Sequence, residues 1–265
     1  HGLTSGEVLL DGKVIKGPNP QIGMVFQEAN LLPWRNIDDN IRFPFEIKGE
    51  KPDEAWIASL IHRVGLDGFG KKMPRELSGG MQQRVALVRA LSFKPSVLLM
   101  DEPFGALDAF TREEMNHLVE EIYLDTRTTI VLITHSIEEA IFLGDRIVVM
   151  SEGRIEQIDS PEAMYARPKT EFVARFVGSN NLFRGRIHAI EPGYVTVHCS
   201  HGQVAVATSA TGTALQVGAT VFVVVQADRM TTTPAGVVRE NRVDASLRGR
   251  EFAGSHNIYL LDLVD

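Results

Sequence analysis

The sequence predicts an α/β layer fold followed by a small all-β domain. Up to about Gly178, short apolar runs alternate with amphipathic helical stretches, which is typical of helices packed on a sheet. From Leu182 onward lysine is absent and short valine-rich runs alternate with turn formers, a pattern that favours a small barrel. Turn formers cluster at 178–181, so we predict two domains, residues 1–178 and 182–265.

The elements of the first domain follow from the spacing of apolar residues. An Asp11-Gly12 pair between two apolar runs predicts a β-hairpin over 7–15 with a type I′ turn. Apolar residues recur at helical spacing over 54–64, and Ser78 is a plausible N-cap for a helix over 79–93. Runs at 96–100 and 128–133 are continuously apolar, as expected for parallel strands covered on both faces. Further helices are predicted over 111–125 and 136–143.

Composition excludes several classes of protein. Of the 265 residues, 44% are apolar, which is enough for a full core. The net charge of −7, from 27 basic and 34 acidic residues, argues against general nucleic-acid binding. No apolar run approaches the ~20 residues of a membrane span. Cys199 is the single cysteine, which rules out an intramolecular disulfide and suits a reducing compartment.

Two carboxylates follow the apolar run 97–100 directly. Asp101 and Glu102 would therefore lie at the carboxyl end of a buried strand, where ligands of open α/β sheets bind. Asp101 could hold Mg²⁺, and Glu102 could polarise a water that attacks a phosphate. A strand that ends in an ordinary polar turn is the alternative interpretation.

The stretch Ser78-Gly79-Gly80 opens a predicted helix. Two glycines let the backbone approach a ligand closely, and a helix N-terminus favours an anion. An ordinary capped helix after a glycine turn would have the same local sequence.

Three further polar residues are candidates for the same site. His135 follows Thr134 at the end of an apolar strand and could contact a phosphate, although a hydrogen-bonded core or capping histidine is the commoner case. Gln27 follows another short strand and could bind a metal or orient water, or be a solvated amide. Asp108 could serve a ligand or cap the next helix.

One apparent phosphate loop is rejected. Residues 65–72 fit G-x-x-x-x-G-K, but Lys72 stands where the Mg²⁺-binding Ser or Thr belongs. The stretch follows a helix instead of a strand, and Met73-Pro74 disfavours a helix directly behind it.

Taken in order, the motifs closely resemble those of the nucleotide-binding subunit of a bacterial ABC importer. Residues 25–28 resemble its Q-loop, and Leu77-Ser-Gly-Gly-Met-Gln-Gln-Arg84 resembles its signature motif. Residues 98–103 resemble the Walker B strand, 105–108 the D-loop, and 134–136 the switch histidine. The implied fold is a P-loop NTPase-like domain, incomplete at its front, followed by an OB-like regulatory barrel of the TOBE type.

The resemblance implies a role for each candidate residue. Asp101 and Gln27 would serve Mg²⁺, Glu102 would be the catalytic base, and Gln27 and His135 would face the γ-phosphate of ATP. The signature residues would bind the ATP of the opposite subunit in a head-to-tail homodimer, with Asp108 in the D-loop; these residues are Ser78, Gly79, Gly80 and Gln82.

The resemblance also implies partners and a location. Leu31, Leu32 and Trp34, which look exposed, would contact a transmembrane permease at the cytoplasmic face of the bacterial inner membrane, with a solute-binding protein acting indirectly. Residues 30–35 resemble importers of the nitrate, sulfonate and taurine group, whereas the TOBE-like half also occurs in importers of polyamines and small oxyanions. The transported solute therefore stays open.

The family places a strand, a Walker A loop and a helix before the segment at which this chain starts. About 50 residues are expected to be missing, the length of a strand, phosphate loop and helix with preceding strands. We therefore expect the 265-residue chain itself to bind ATP poorly and to be inactive as an ATPase. A non-hydrolysing regulatory or pseudo-ATPase module and a soluble ABC ATPase of translation or repair are the alternative functions.

Overall fold

A computed structural model describes residues 5–178, 180–200, 202–207, 215–226, 245–253 and 256–263. The chain divides into two compact units, residues 1–144 and 145–265. The division groups residues 145–178 with the later strands, and the boundary at 178–181 stays a prediction. Within the described residues, no helix combines the length and apolarity needed to cross a bilayer.

The first unit contains a small hairpin, a parallel sheet and five helices among its described residues. Its strands are β1 (Leu9–Leu10), β2 (Lys13–Val14), β3 (Ile22–Val25), β4 (Val97–Asp101) and β5 (Thr129–Ile133). Its α-helices are α1 (Ile37–Lys48), α2 (Glu54–Arg63), α3 (Gly79–Leu91), α4 (Ala109–Thr126) and α5 (Ile137–Leu143), with a 3-10 turn at Pro74–Glu76.

The predicted hairpin and its turn are confirmed. Strands β1 and β2 pair antiparallel, and Asp11 and Gly12 between them both have positive φ, 49° and 74°. A type I′ turn requires positive φ at both central positions, so the Asp-Gly pair explains the turn.

The three-stranded sheet is parallel, with the order β3-β4-β5. Its register places Val25 beside Met100, and Val25, Leu98 and Met100 are about 1% exposed under the helices. This face of the sheet and the apolar sides of α1 to α4 form the main core.

The opposite face of strand β5 contradicts the expectation of cover on both sides, whereas Val97 and Leu99 of β4 are half-buried. Met24, Val131 and Ile133 are 44%, 47% and 58% exposed. The sheet order explains the difference: both crossovers, β3 to β4 and β4 to β5, run in the same direction, and right-handed crossovers then place their helices on one face. A continuously apolar strand therefore does not prove cover on both faces.

The second unit is built mainly from antiparallel strands. A hairpin of β6 (Ile147–Ser151) and β7 (Arg154–Asp159) is followed by α6 (Pro161–Ala166) and α7 (Glu171–Phe176). A four-stranded sheet of order β10-β9-β8-β11 contains β8 (Asn180–Glu191), β9 (Tyr194–Cys199), β10 (Gly202–Ala207) and β11 (Thr220–Gln226). Strands β12 (Ala245–Ala253) and β13 (His256–Leu263) pair with each other. Closure of these strands into an OB-like barrel stays a prediction.

Candidate functional site

The carboxyl ends of the parallel strands bring together three predicted site residues. Gln27 follows β3, Glu102 follows β4 and His135 follows β5. The amide Nε2 of Gln27 donates a hydrogen bond to Oε2 of Glu102 at 3.3 Å. The Nδ1 of His135 lies 3.4 Å from the same oxygen. Gln27 thus reaches a carboxylate 75 positions away in the chain, and His135 lies at the same oxygen.

Accessibility at this cluster suits a ligand. The side chain of Glu102 is 35% exposed and that of His135 is 72% exposed. Asp101, the last residue of β4, pairs in register with Ile133 and is also exposed. The carboxylates and the Gln27 amide are the oxygen donors that Mg²⁺ prefers, and Mg²⁺ usually adds phosphate oxygens and water to one or two carboxylates. No group of three His, Cys, Asp or Glu side chains in the described ranges is placed to hold a metal alone.

The backbone at Glu102 is in an unfavourable conformation. Its φ is +42°, which is uncommon for a residue other than glycine, and its N–H donates to the Ile133 carbonyl at 2.8 Å. Such strained residues cluster at functional sites, where the surrounding structure holds them in place. Gly105 adjoins the cluster, because a Cβ there would lie 3.6 Å from the Gln27 amide nitrogen.

The loop that carries His135 is organised by a buried carboxylate. Glu139 is 3% exposed, and its Oε2 accepts a hydrogen bond from Thr134 Oγ1 at 2.6 Å. Thr134 Oγ1 in turn accepts from the Ser136 N–H, and Ser136 Oγ caps α5 by accepting from the Glu139 N–H. Sequence reasoning missed Glu139, although Ser136 and Glu139 have the S-x-x-E spacing of a capping box.

The signature turn uses most of its side-chain polar groups internally. Ser78 is the N-cap of α3, as predicted, and its Oγ accepts from the Met81 N–H at 3.3 Å. Gln82 donates its amide to the carbonyls of Pro74 and Leu77 at 3.1 and 3.2 Å. The amide N–H groups of Gln82 therefore bind the chain's own backbone and not a neighbouring ligand.

The two glycines of the turn have different surroundings. A Cβ at Gly79 would meet nothing within 4 Å, whereas one at Gly80 would lie 2.7 Å from Thr111 Cγ2. Gly80 is thus needed for close packing of α3 on α4. Gly79 leaves open space for an approaching group.

Asp108 caps α4, the structural alternative that the sequence left open. Its Oδ1 accepts from the Thr111 N–H at 3.0 Å and its Oδ2 from the Thr111 hydroxyl at 2.7 Å. These two hydrogen bonds, the backbone one first, lower the pKa of the Asp108 carboxyl below its ordinary value. A ligand-facing role for Asp108 stays a prediction.

The predicted permease surface is only partly exposed. Trp34 is 72% exposed, but Leu31 is half-buried against the main core and Leu32 is half-buried as well. The fully buried Asn40 shapes the loop, because its side chain accepts from the Leu32 N–H and donates to the carbonyls of Leu32, Arg35 and Asn36. The expectation that the two leucines are exposed is therefore wrong.

Two side chains of α3 reach the segment around Gln27. Gln83, 3% exposed, donates to the Phe26 carbonyl at 2.8 Å. Arg89 donates from its two terminal nitrogens to the carbonyls of Ala29 and Asn30, both at 2.9 Å. Burial lowers the pKa of the Arg89 guanidinium from its usual range. No local sequence pattern indicates these contacts, since their partners lie 57 to 60 residues away.

The rejected phosphate loop has no phosphate-binding geometry. Residues 65–72 run from α2 to the 3-10 turn, so that neither a preceding strand nor a following α-helix frames them. A Cβ at Gly70 would lie 2.5 Å from Asp38, whose backbone N–H donates to the Gly70 carbonyl.

The fold is an α/β layer with three polar side chains gathered at one sheet edge, and comparison with known sequences gives its family. The sequence profile of the ABC transporter family matches residues 2–105. The spermidine/putrescine import ATP-binding protein PotA of Trichormus variabilis is 34% identical over 271 aligned residues, covering 99% of this chain and 71% of that protein. The chain belongs to the ABC transporter family, and its ATP-binding domain is of the mixed α/β kind.

Other relatives carry different solute names. The sulfate/thiosulfate import ATP-binding protein CysA of Bacillus cereus is 44% identical over 189 residues, or 69% of this chain and 52% of that protein. The taurine import ATP-binding protein TauB of Rhizobium johnstonii is 45% identical over 176 residues, or 66% of this chain and 64% of that protein. The chain thus spans about half the length of the sulfate/thiosulfate relatives it matches.

Proposed function

We propose that this chain is the catalytic part of an ATP-binding subunit that energises solute import by an ABC transporter. The observation that carries the proposal is the meeting of Gln27 and His135 at Oε2 of Glu102, at 3.3 and 3.4 Å. Phosphoryl transfer to water needs a positioned nucleophile and groups that stabilise charge on the phosphate. A carboxylate, an amide and an imidazole at one sheet edge supply those groups.

Each residue has a definite role in the proposed hydrolysis. Glu102 accepts the proton of the attacking water, Gln27 orients that water, and His135 donates a hydrogen bond to the terminal phosphate. Asp101 would hold Mg²⁺ together with Gln27, and the bound ion would neutralise charge on the phosphates. The contacts of Glu102 with Gln27 and His135 keep all three side chains in place before the ligand arrives.

The signature turn serves the ATP of a second copy of the chain. The space around Gly79 and the first-turn N–H groups of α3 suit a phosphate approaching from outside. Ser78 and Gly80 hold the turn in shape, and Gln82 would contribute only through its amide oxygen. A head-to-tail homodimer then contains two composite sites.

The proposed partners are the transmembrane permease and, through it, a solute-binding protein outside the membrane. The exposed Trp34 on a loop fixed by Asn40 suits a permease contact, and the subunit would lie at the cytoplasmic face of the cell membrane. The relatives named above carry sulfate/thiosulfate, spermidine/putrescine and taurine in their names, so the proposal leaves the solute open.

The 265-residue chain by itself should bind ATP weakly. Its sequence holds no G-x-x-x-x-G-K-[ST] stretch apart from the rejected near-match at 65–72. Titration of the isolated chain with a fluorescent ATP analogue tests this expectation, and micromolar affinity would contradict it.

The test of the proposed function uses the complete ATP-binding subunit assembled with its permease in liposomes. ATP-dependent solute uptake is expected, and it should disappear in the Glu102→Gln variant. Cys199 is the single cysteine of this chain, so cysteine pairs can be introduced in a Cys199→Ser background. A Ser78→Cys variant should then form a thiol crosslink with a second cysteine introduced into the partner's nucleotide site. A subunit that binds the permease without hydrolysing ATP would instead favour the regulatory alternative.

A further inference from the structure

The segment 26–30 is fastened to helix α3 at both of its ends. Gln83 holds the carbonyl of Phe26, just before Gln27. Arg89 holds the carbonyls of Ala29 and Asn30, just after it. Arg89 stands in the last turn of α3, where a cation also interacts favourably with the helix dipole. The position of Gln27 is therefore set from α3 on either side.

The bonding of Arg89 is specific to a guanidinium. Its two terminal nitrogens bridge two consecutive carbonyls at equal distances of 2.9 Å. An ammonium group lacks this planar fork, so lysine would not reproduce both bonds in the same geometry. Among the described residues, no carboxylate oxygen lies within 4.0 Å of the Arg89 nitrogens to form an ion pair. The Arg89 guanidinium thus bonds to the backbone of one loop.

The same loop leads from Gln27 to the exposed Trp34. Asn30 has φ of +45°, so the chain turns sharply where Arg89 holds it. Asn40 then fixes the continuation at Leu32. Helix α3 has 13 residues, about 20 Å at 1.5 Å per residue, and its other end carries the Ser78–Gly80 turn.

We infer that Arg89 is a positioning residue. It couples the surface around Trp34 to two elements of the nucleotide site, namely Gln27, proposed to face the γ-phosphate, and the signature turn. A displacement of the loop by the permease moves α3 as a unit through Arg89, so the two nucleotide-facing elements respond together. Arg89 touches neither nucleotide nor permease in this scheme. The inference rests on the proposed function, because it needs a permease at Trp34.

The test compares wild type with Arg89→Lys in the complete subunit assembled with its permease in liposomes. The readout is the ratio of solute-stimulated ATP hydrolysis to the basal hydrolysis of the subunit without permease. We expect this ratio to fall roughly tenfold in Arg89→Lys, inside the usual 5–150-fold range of coupling between sites. The control is Arg42→Lys. Arg42 lies on α1 and forms a surface ion pair with Glu54, so this variant should keep the wild-type ratio.

A double-mutant cycle with Trp34→Ala separates coupling from general damage. If Arg89 acts through the Trp34 surface, adding Arg89→Lys to Trp34→Ala lowers the ratio no further. Hydrogen exchange of amides 28–34 should rise in Arg89→Lys but not in Arg84→Lys, whose guanidinium on the same helix binds the Val64 carbonyl and Glu114. Should Arg89→Lys fail to fold, Arg89→Gln is judged by the same ratio.

Two results would overturn the inference. One is a folded Arg89→Lys subunit with the wild-type ratio, and the other is a fully additive cycle with Trp34→Ala. A wild-type assembly that shows no solute stimulation is a different result, because it overturns the proposed function itself.

Discussion

The strand-end cluster and the signature turn present their polar groups in opposite ways. At the strand ends, the side chains of Gln27 and His135 converge on Glu102 and stay accessible. At the turn, the Ser78 hydroxyl and the Gln82 amide are bonded to the local backbone, and Gly79 leaves open space. Under the proposed function, the first region would act by side-chain chemistry. The second would offer mainly its backbone to a ligand.

The largest effect is expected from Glu102→Gln, which tests the side-chain half of the comparison. The substitution keeps the size of the side chain and an acceptor for Gln27 but removes the base. Hydrolysis in the complete subunit should fall about 10²–10⁴-fold, the usual range for a general base, while ATP binding persists. Single-turnover phosphate release measures the effect.

The matched control for this variant is Glu28→Gln, which neutralises an exposed carboxylate next to Gln27. It should leave the rate near that of wild type. A Glu102→Gln enzyme that retains the wild-type rate would remove Glu102 from the chemistry.

The next effect is expected from His135→Ala. Loss of one preorganised donor to a developing charge typically costs about 10²-fold in rate. Because the side chain is 72% exposed, the melting temperature should hardly change. Steady-state hydrolysis measures the loss of rate, and thermal unfolding measures the melting temperature.

His62 provides the control for His135. It is also an exposed histidine close to a carboxylate, with Nδ1 3.0 Å from Asp67, but it lies far from the strand ends in the chain. His62→Ala should keep full activity. Equal losses in both variants would show that any exposed histidine has this effect.

The two glycines of the signature turn sharpen the other half of the comparison. Gly80→Ala places a methyl 2.7 Å from Thr111 Cγ2, so it should destabilise the fold by about 1–3 kcal/mol, as overpacked sites do. Gly79→Ala meets nothing and should leave stability unchanged. It should nevertheless slow hydrolysis roughly tenfold, equivalent to about 1.4 kcal/mol, by blocking the approach of the partner's ATP. Chemical denaturation and ATPase assays distinguish the two.

Removing the obstructing methyl group checks this assignment. Thr111→Ser lacks Cγ2 but keeps the hydroxyl that bonds to Asp108, so it should restore the stability of Gly80→Ala. No rescue, or a loss of stability in Gly79→Ala, would reverse the roles of the two glycines.

Much of the site could be predicted because its residues follow local patterns. Glu102 and His135 each follow an apolar strand, and the carboxyl ends of parallel strands share one edge of a sheet. Ser78 could be predicted as a cap because a helical pattern follows it. The exposed face of β5 could not be predicted from the sequence. Whether helices cover a face of the sheet depends on the crossover directions and not on the strand's own residues.

The long-range hydrogen bonds of polar side chains are the main features that the sequence does not predict. Arg89 and Gln83 lie on a regular helix, and only the folded chain brings backbone carbonyls of residues 26–30 to them. Helix α1 is not among the predicted elements, and Pro44 lies in its interior, where proline is unfavourable. Composition and periodicity carry no information on such tertiary contacts.

Asp108 gives the smallest expected effect and separates its capping role from any ligand role. Its folded-state pKa is lowered from 3.8 by the two bonds to Thr111, so the charged form is favoured by folding. The resulting stability is present above the unfolded pKa and is lost as the pH falls through the folded pKa. The stability gap between wild type and Asp108→Asn should therefore narrow as the pH drops below about 3.8. Urea unfolding at a series of acidic pH values measures the gap.

Asp108→Ala, which lacks the cap at every pH, should stay less stable than Asp108→Asn throughout. A gap independent of pH would mean that the charge of Asp108 does not stabilise α4 and serves another purpose.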